Sequence, residues 1–375
     1  YGGPKGSERL IKAIEEFYIN LNRTGRIGQI PDFRNREIVI GVSGATSILT
    51  GLANVMRKGV VITGDPLYYI YTSTLERFGF EIEPVEEDNE GPRVEVLEKA
   101  LNEVDKEGKN ISFCYFVTVN NPTCNVISND RRKDLIECVR NFVAKSGKYV
   151  PIIFDLAYEW LIHGQTLGKL DLPSVYDEDG LVYEVGTLSK VFAPALRVGF
   201  MIGPKDSPII ASLVQWNSDV GFSAPLITQE ASADLIRDFG LEQFDKVNEG
   251  YREKAKLFKE RIMNALGDFL EHVRGGEAGF YLYLTFKNIE TFQNTKFFRL
   301  LTRKSGDREW DFKNGELNPR VIYLPGVYCV HPKGKFVERS RRQIRVSYGY
   351  ENIEMLCKAV DIVRDAINYF RSKSS

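Results

Sequence analysis

A lysine placed directly after an apolar strand constrains this chain more than any other feature. Leu181-Val182-Tyr183-Glu184-Val185 is short and β-rich and reads as a buried strand. It ends in a turn of small residues, Gly186-Thr187-Leu188-Ser189, and Lys190 follows at once. A lysine there costs desolvation energy unless it is paired, neutral or covalently used. Arg197 comes next, flanked by Leu196, Val198, Gly199 and Phe200, and so apolar a setting calls for an anionic partner. Alone, the stretch leaves two readings open. Lys190 is a strand-end lysine whose head snorkels to water, the ordinary state of lysine. Or it is a lysine that can lose its proton beside an arginine and the hydroxyls of Thr187 and Ser189, a set suited to an aldehyde that carries a phosphate. Pyridoxal phosphate is such a molecule.

Bulk properties narrow the class. The 375 residues exceed one ordinary core, so a large and a small domain are expected. Basic and acidic residues balance at 50 against 51, which leaves no electrostatic footprint for nucleic acid. No apolar run reaches the roughly 20 residues that span a bilayer, and the first residues have no apolar core of a signal peptide. The five cysteines are scattered, odd in number and without metal spacing, so a reduced, cytoplasmic setting is expected. Three histidines make a histidine-rich metal site a poor expectation.

Taken in order, the chain repeats one theme: an apolar strand that ends in residues fit for a ligand. After a helix that Ser7 would cap, a strand at 37–40 runs into Gly41-Val42-Ser43-Gly44-Ala45-Thr46-Ser47 and a helix at 48–56. That turn is either an anion site at a helix N-terminus or simply a tight turn that needs glycine. The strand at 60–64 is followed by Tyr68, which could lie flat on a planar ring, with Tyr69 and Tyr71 read as core or interface residues. A strand at 80–85 near the sheet edge leads to a polar surface loop at 86–92. The strand at 111–117 ends at Asn120-Asn121-Pro122-Thr123-Cys124. Asn121 could donate to a phenolate oxygen or belong to an ordinary loop. The central strand at 150–154 ends at Asp155-Leu156-Ala157-Tyr158. Asp155 there either meets a cation, such as a protonated pyridine nitrogen, or caps a helix.

Helices are expected at 226–239 and 244–265, the second carrying a solvated charged face and leading into another domain. Beyond residue 270 the pattern shifts to strands at 278–284, 320–326 and 343–348 and a closing helix at 355–370. Arg345 sits mid-strand, either a fork for a carboxylate or a surface arginine. Alternating α and β elements followed by a smaller mixed region imply an α/β protein. Its large domain would be doubly wound and mostly parallel (residues 1–245), its small C-terminal domain α+β (residues 246–375).

The ordered set Asn121-Pro122-Thr123, Asp155-Leu156-Ala157-Tyr158, Ser189-Lys190, Arg197-Val198-Gly199 and Arg345 resembles the fold-type I pyridoxal phosphate enzymes, the class I/II aminotransferases. The gap from Lys190 to Arg197 is most similar to the aminoadipate and kynurenine aminotransferase branch. The resemblance implies a seven-stranded, aspartate-aminotransferase-like sheet. It implies pyridoxal 5'-phosphate bound covalently by Lys190, which also shuttles protons. Asp155 would pair the pyridine nitrogen, Asn121 and Tyr158 would hold the ring oxygen, and Tyr68 and Ala157 would cover the ring's two faces. Ala45, Thr46, Thr187, Ser189 and Arg197 would bind phosphate, and Arg345, with Asn121 beside it, the substrate α-carboxylate. Tyr1 would reach the partner subunit's phosphate, implying a homodimer with shared sites.

The implied activity is ping-pong transfer of an amino group between an L-amino acid and a 2-oxo acid. Other pyridoxal phosphate reactions (C–S lyase, decarboxylase, amino-acid oxidase) would use the same anchors. So would a regulatory domain, although no helix-turn-helix is visible in these 375 residues. Three departures stand out: Cys124 where the family usually has glycine, a sequence that starts at Tyr1 where the family has an arm ahead of it, either a true difference or a longer native chain, and Gly276-Glu277-Ala278-Gly279 in place of a Pro-Gly-Gly form.

Overall fold

Strands that end in ligand-type residues place those residues together only if they run the same way through one sheet, and here they do. The computed structural model describes residues 2–372. The first part of the chain supplies β1 (Arg36–Ile40), β2 (Val60–Asp65), β3 (Glu81–Asp88), β4 (Gly91–Pro92), β5 (Ile111–Val117), β6 (Ile152–Asp155), β7 (Val182–Thr187) and β8 (Gly199–Pro204). They form one sheet in the order β1-β8-β7-β6-β5-β2-β3-β4. From β3 to β7 the neighbours are parallel, while β8 runs antiparallel to both β7 and β1. The sheet therefore has eight strands rather than the expected seven. The additional one, β4, is a two-residue arm paired antiparallel with the end of β3.

That arm corrects a second expectation. Residues 86–92, rich in charge, are not a surface loop but the tip of a hairpin. The in–out alternation of β3 continues through it, so Val85 and Glu87 are buried while Glu86 between them is not. The strands read as continuous apolar runs because helices cover both faces. Cys114, Phe116, Ile152 and Phe154 pack into one core, and Phe113, Tyr115, Ile153 and Tyr183 into the opposite one.

Helices α1 (Glu8–Arg23), α2 (Gly44–Val55), α3 (Tyr69–Arg77), α4 (Val94–Lys106), α5 (Asn129–Ser146) and α6 (Pro208–Val220) wrap this sheet. Ser7 caps α1 as expected, accepting from the Leu10 N–H, and Ser207 with Pro208 opens α6. Where two helices were expected, α7 (Leu226–Leu266) runs unbroken for 41 residues. Gly240 is no break. A methyl group there would lie 2.8 Å from the Phe17 ring, so the glycine lets α1 approach. One end of α7 supplies Ala233, Ile236 and Phe244 to the core of the large sheet. The other supplies Ala255, Phe258, Ile262 and Leu266 to a second core.

That second core backs a smaller antiparallel sheet of β9 (Leu270–Gly275), β10 (Tyr281–Phe286), β13 (Leu324–Pro325) and β14 (Gln343–Ser347), in the order β13-β14-β10-β9. A hairpin of β11 (Phe312–Lys313) and β12 (Glu316–Leu317) stands apart. The strand expected at 320–326 shrinks to β13, and a helix at Ile353–Ser372 closes the described chain.

Candidate active site

The carboxyl ends of β2, β5, β6 and β7 open on one side of the sheet, where ligands of open α/β sheets collect. One cavity there is lined by Ala45, Thr46, Tyr68, Asn121, Asp155, Ala157, Tyr158, Thr187, Ser189, Lys190 and Arg197, together with Leu49, Val117 and Pro194. The structure thus gathers every site residue named from the sequence except two. Arg345 reaches the group from the smaller sheet through Asn121. Tyr1 lies outside the described residues.

At one end of the cavity the β1–α2 turn meets the segment after Lys190. Gly44 has φ of 63°, a left-handed conformation that favours glycine. A methyl group there would lie 2.8 Å from Arg197 Nη2. Arg197 is itself left-handed (φ 52°) and folds back over the turn. Its Nε donates to Ser43 Oγ at 3.3 Å, Nη2 to the Ser43 carbonyl at 3.3 Å and Nη1 to the Pro194 carbonyl at 3.2 Å. Among the described residues it has no carboxylate partner. Thr187 Oγ1 donates to the Val198 carbonyl at 2.9 Å and lies 2.9 Å from Ser189 Oγ. At the start of α2 the N–H groups of Ala45 and Thr46 have no carbonyl one turn below them, so this end converges positive and hydrogen-bonding groups on one place.

The middle of the cavity is set by Asp155 and Lys190. Asp155 is buried at the end of β6. Its Oδ2 accepts from the Tyr115 hydroxyl at 2.6 Å and its Oδ1 from the Ala157 N–H at 2.9 Å. No helix follows it, so the alternative of a helix cap gives way to a turn closed by its own side chain. Burial raises its pKa, and the Tyr115 and Ala157 bonds pull it back. Burial pushes Lys190 down, and Arg197 and Arg345 push the same way against Asp155. Lys190 Nζ lies 5.3 Å from the centre of the Tyr158 ring and 5.6 Å from that of Phe280. Tyr68 stands at the N-terminus of α3, its hydroxyl pushed up to about 12 by burial. Tyr71 is core, as expected.

At the far end, Arg345 on β14 donates from Nη1 to Asn121 Oδ1 at 2.6 Å, and its guanidinium lies 4.2 Å from the Tyr281 ring centre. It is not a free surface arginine, and among the described residues no carboxylate pairs with it. The Tyr281 hydroxyl is 3.2 Å from that of Tyr158. Cys124 takes φ of 52° at the position where the family has glycine, and the chain bears that left-handed cysteine without opening the turn: its N–H donates to the Asn120 carbonyl at 2.7 Å.

Sequence reasoning passed over Tyr115, Ser43 and Tyr281 as site residues. A signal existed for the tyrosines: a phenol inside an apolar strand needs a partner for its hydroxyl.

A family model of class I and II aminotransferases matches residues 1–360. The chain belongs to that family. Among curated relatives, the HTH-type transcriptional regulator YisV of Bacillus subtilis is 25% identical over 369 residues, covering 94% of this chain and 64% of the relative. The mitochondrial kynurenine/alpha-aminoadipate aminotransferase of Mus musculus is 24% identical over 329 residues, covering 82% of this chain and 72% of that one. The multiple substrate aminotransferase of Thermococcus profundus superposes with a TM-score of 0.81 at 20% identity, covering all of this chain and 83% of that one. This aminotransferase-family chain therefore has the aspartate-aminotransferase-like α/β fold. It spans less than two thirds of the length of the regulator it matches.

Proposed function

We propose that this protein is a pyridoxal 5'-phosphate-dependent aminotransferase that moves an amino group between an L-amino acid and a 2-oxo acid. One observation carries the reading. Lys190, Arg197 and Arg345, none with a carboxylate within ion-pair distance among the described residues, converge with the buried Asp155 on a single cavity and its rim. Asp155 is buried, Lys190 and Arg345 are half-buried and Arg197 is exposed. The cost of an uncompensated charge therefore falls chiefly on Asp155, which calls for a cation, while the three cations around it suit anionic groups on a ligand. Membership in the aminotransferase family supports the same cofactor.

The residues fit that cofactor. The Arg197 guanidinium, the hydroxyls of Thr187 and Ser189 and the first-turn N–H groups of Ala45 and Thr46 would hold its phosphate. Gly44 supports this, because any larger residue would occupy the space of the Arg197 fork. Asp155 would pair the pyridine nitrogen, with Tyr115 fixing which oxygen faces it. Asn121 and Tyr158 would bind the ring oxygen, and Tyr68 and Ala157 would cover its faces. When bound, pyridoxal phosphate supplies an aldehyde carbon for amine exchange and a ring that withdraws electrons from the substrate Cα.

The chain's own residues supply the rest. Arg345 and Asn121 orient the substrate by its α-carboxylate. Lys190 Nζ, once free, would take the proton from the substrate Cα and deliver it to the cofactor's aldehyde-derived carbon on the other side of the amino nitrogen. Its lowered pKa keeps a neutral fraction available for that work. Asp155, destabilised as an isolated anion, gains most when a cation stands against it, so it favours the protonated ring. A homodimer belongs to the same reading, supported by exposed apolar side chains where α6 meets α7: Val220, Leu226 and Ile227. So does a cytoplasmic setting. Among the described residues no helix is long and apolar enough to cross a membrane.

The test is the absorption spectrum of the protein with pyridoxal phosphate while L-amino acids are added without an oxo acid. A subset should convert the aldehyde form to the pyridoxamine form and release the matching oxo acid. The match to a transcriptional regulator over 94% of this chain favours one second reading, an effector domain that senses an amino acid through the same site. It predicts amino acids that perturb the spectrum and release no oxo acid.

A further inference from the structure

The cavity's carboxylate end depends on a residue that does not line it. Glu87, at the tip of β3, is 3% exposed. Its Oε2 accepts from Asn120 Nδ2 at 2.7 Å, and its Oε1 accepts from Thr123 Oγ1 at 2.7 Å and from Asn125 Nδ2 at 3.0 Å. Arg274 Nη1, from β9 of the smaller sheet, lies 3.6 Å from Oε1. Residues 120–125 fold around this carboxylate, closed by Asn120 N–H to the Asn125 carbonyl at 2.9 Å and Cys124 N–H to the Asn120 carbonyl at 2.7 Å. The same Asn120 amide also donates to the Pro66 carbonyl at 2.8 Å, two residues before Tyr68. Inside that loop Asn121 turns the other way and accepts from Arg345.

We propose that Glu87 is a positioning residue: by anchoring residues 120–125 it sets Asn121, and through Asn121 it aims Arg345 at the substrate α-carboxylate. The inference rests on the functional reading above for the role of Arg345. Three properties separate Glu87 from an ordinary buried carboxylate. Its donors all come from the one loop that carries Asn121. Its cation comes from the other sheet, the sheet that also carries Arg345. Its carboxylate accepts three hydrogen bonds, so removing it strips the buried Thr123 hydroxyl of its acceptor and takes one of two acceptors from each of the Asn120 and Asn125 amides, which loosens the loop. A shift on the order of 1 Å in a substrate-orienting group is enough to cost catalysis heavily.

The test compares two probes with the same amine, one bearing a carboxylate and the other a hydrogen on the amine's carbon, read in the initial binding phase before any proton transfer. 2-Methylalanine has an amino group and an α-carboxylate but no Cα proton to lose, and isopropylamine is the same amine without the carboxylate. Each is titrated into the pyridoxal phosphate-loaded protein and followed by cofactor absorbance. Glu87→Ala should weaken 2-methylalanine about 10-fold and leave isopropylamine within about 2-fold. Glu87→Gln, which keeps an acceptor for Thr123 and Asn125, should fall between. Thr123→Val, a milder change should Glu87→Ala not fold, should move in the same direction by a few-fold. Combining Glu87→Ala with Arg345→Leu should cost less than the sum of the two, because they act on one interaction. Equal weakening of both probes, or loss of thermal stability with neither probe affected, would overturn the proposal. A wild type that answers 2-methylalanine in a Glu87-dependent way yet releases no oxo acid from any amino acid would refute amino transfer and leave the role of Glu87 standing.

Discussion

The two ends of the cavity hold their arginines in opposite ways. Arg197 is fixed within the large sheet's own end: one carbonyl three residues back, and a serine carbonyl, a serine hydroxyl and a glycine that makes room, all from the β1–α2 turn. Arg345 is fixed from one sheet to the other. Its partner Asn121 lies 224 residues earlier in the chain, and the loop that carries Asn121 is anchored by Glu87 from a third place. The first arrangement suits a group that every turnover reuses. The second lets that end of the cavity depend on how the two sheets sit together, because Arg345 and Arg274 belong to one sheet, and Glu87 and the loop after β5 that carries Asn121 to the other. Between the ends, Lys190 responds to both, since Arg197 and Arg345 each lower its pKa.

The strongest way to break this comparison is at its centre. Lys190→Ala should still bind pyridoxal phosphate yet lose turnover by about 10,000-fold, the upper range for a positioned acid–base group. Stopped-flow or long-time product assays would read it, and wild-type turnover would exclude the assignment of Lys190. Next in size, Arg345→Leu should lower kcat/KM for amino acids about 100-fold, the loss of a charge-assisted pair worth about 3 kcal/mol. Amines without a carboxylate should react unchanged, and equal losses for both would erase the distinction between the ends. Arg197→Ala should instead weaken the cofactor about 10- to 100-fold by equilibrium titration, with KM for the amino acid little altered once cofactor saturates.

The smallest effect is a shift in pH dependence. Covalent capture of the aldehyde needs neutral Lys190, so its rate should rise with pH and level off below the ordinary lysine value near 10.5. Arg197→Ala removes a charge that lowers the lysine pKa and should move that profile to higher pH. Asp155→Asn removes the charge that raises it and should move the profile lower. Stopped-flow absorbance against pH reads both shifts.

The contrast also explains what the sequence could tell. The Arg197 end was legible because its parts fall in two short runs: Thr187, Ser189, Lys190 and Arg197 in one, and Ser43 to Thr46 in another. The parallel sheet was legible for the same reason, since each apolar run ends where a ligand-type residue begins. The support of the other end was not. Glu87 lies in a stretch of charged residues that composition assigns to solvent, and only the strand alternation carried two residues past Val85 turns it inward. Tyr115 was hidden in an apolar run, because its meaning comes from β6 beside it. A break was expected between 239 and 244, and α7 runs through it with Phe17 packed closely on Gly240.

The central claim is that Lys190 bonds the cofactor in the cavity that Asp155, Arg197 and Arg345 surround. The most direct measurement is borohydride reduction of the protein incubated with pyridoxal phosphate, followed by peptide mass spectrometry. The account predicts one stable pyridoxyl phosphate adduct, on Lys190, which prior addition of a reacting amino acid suppresses. An adduct spread over surface lysines, or absent from Lys190, would contradict it.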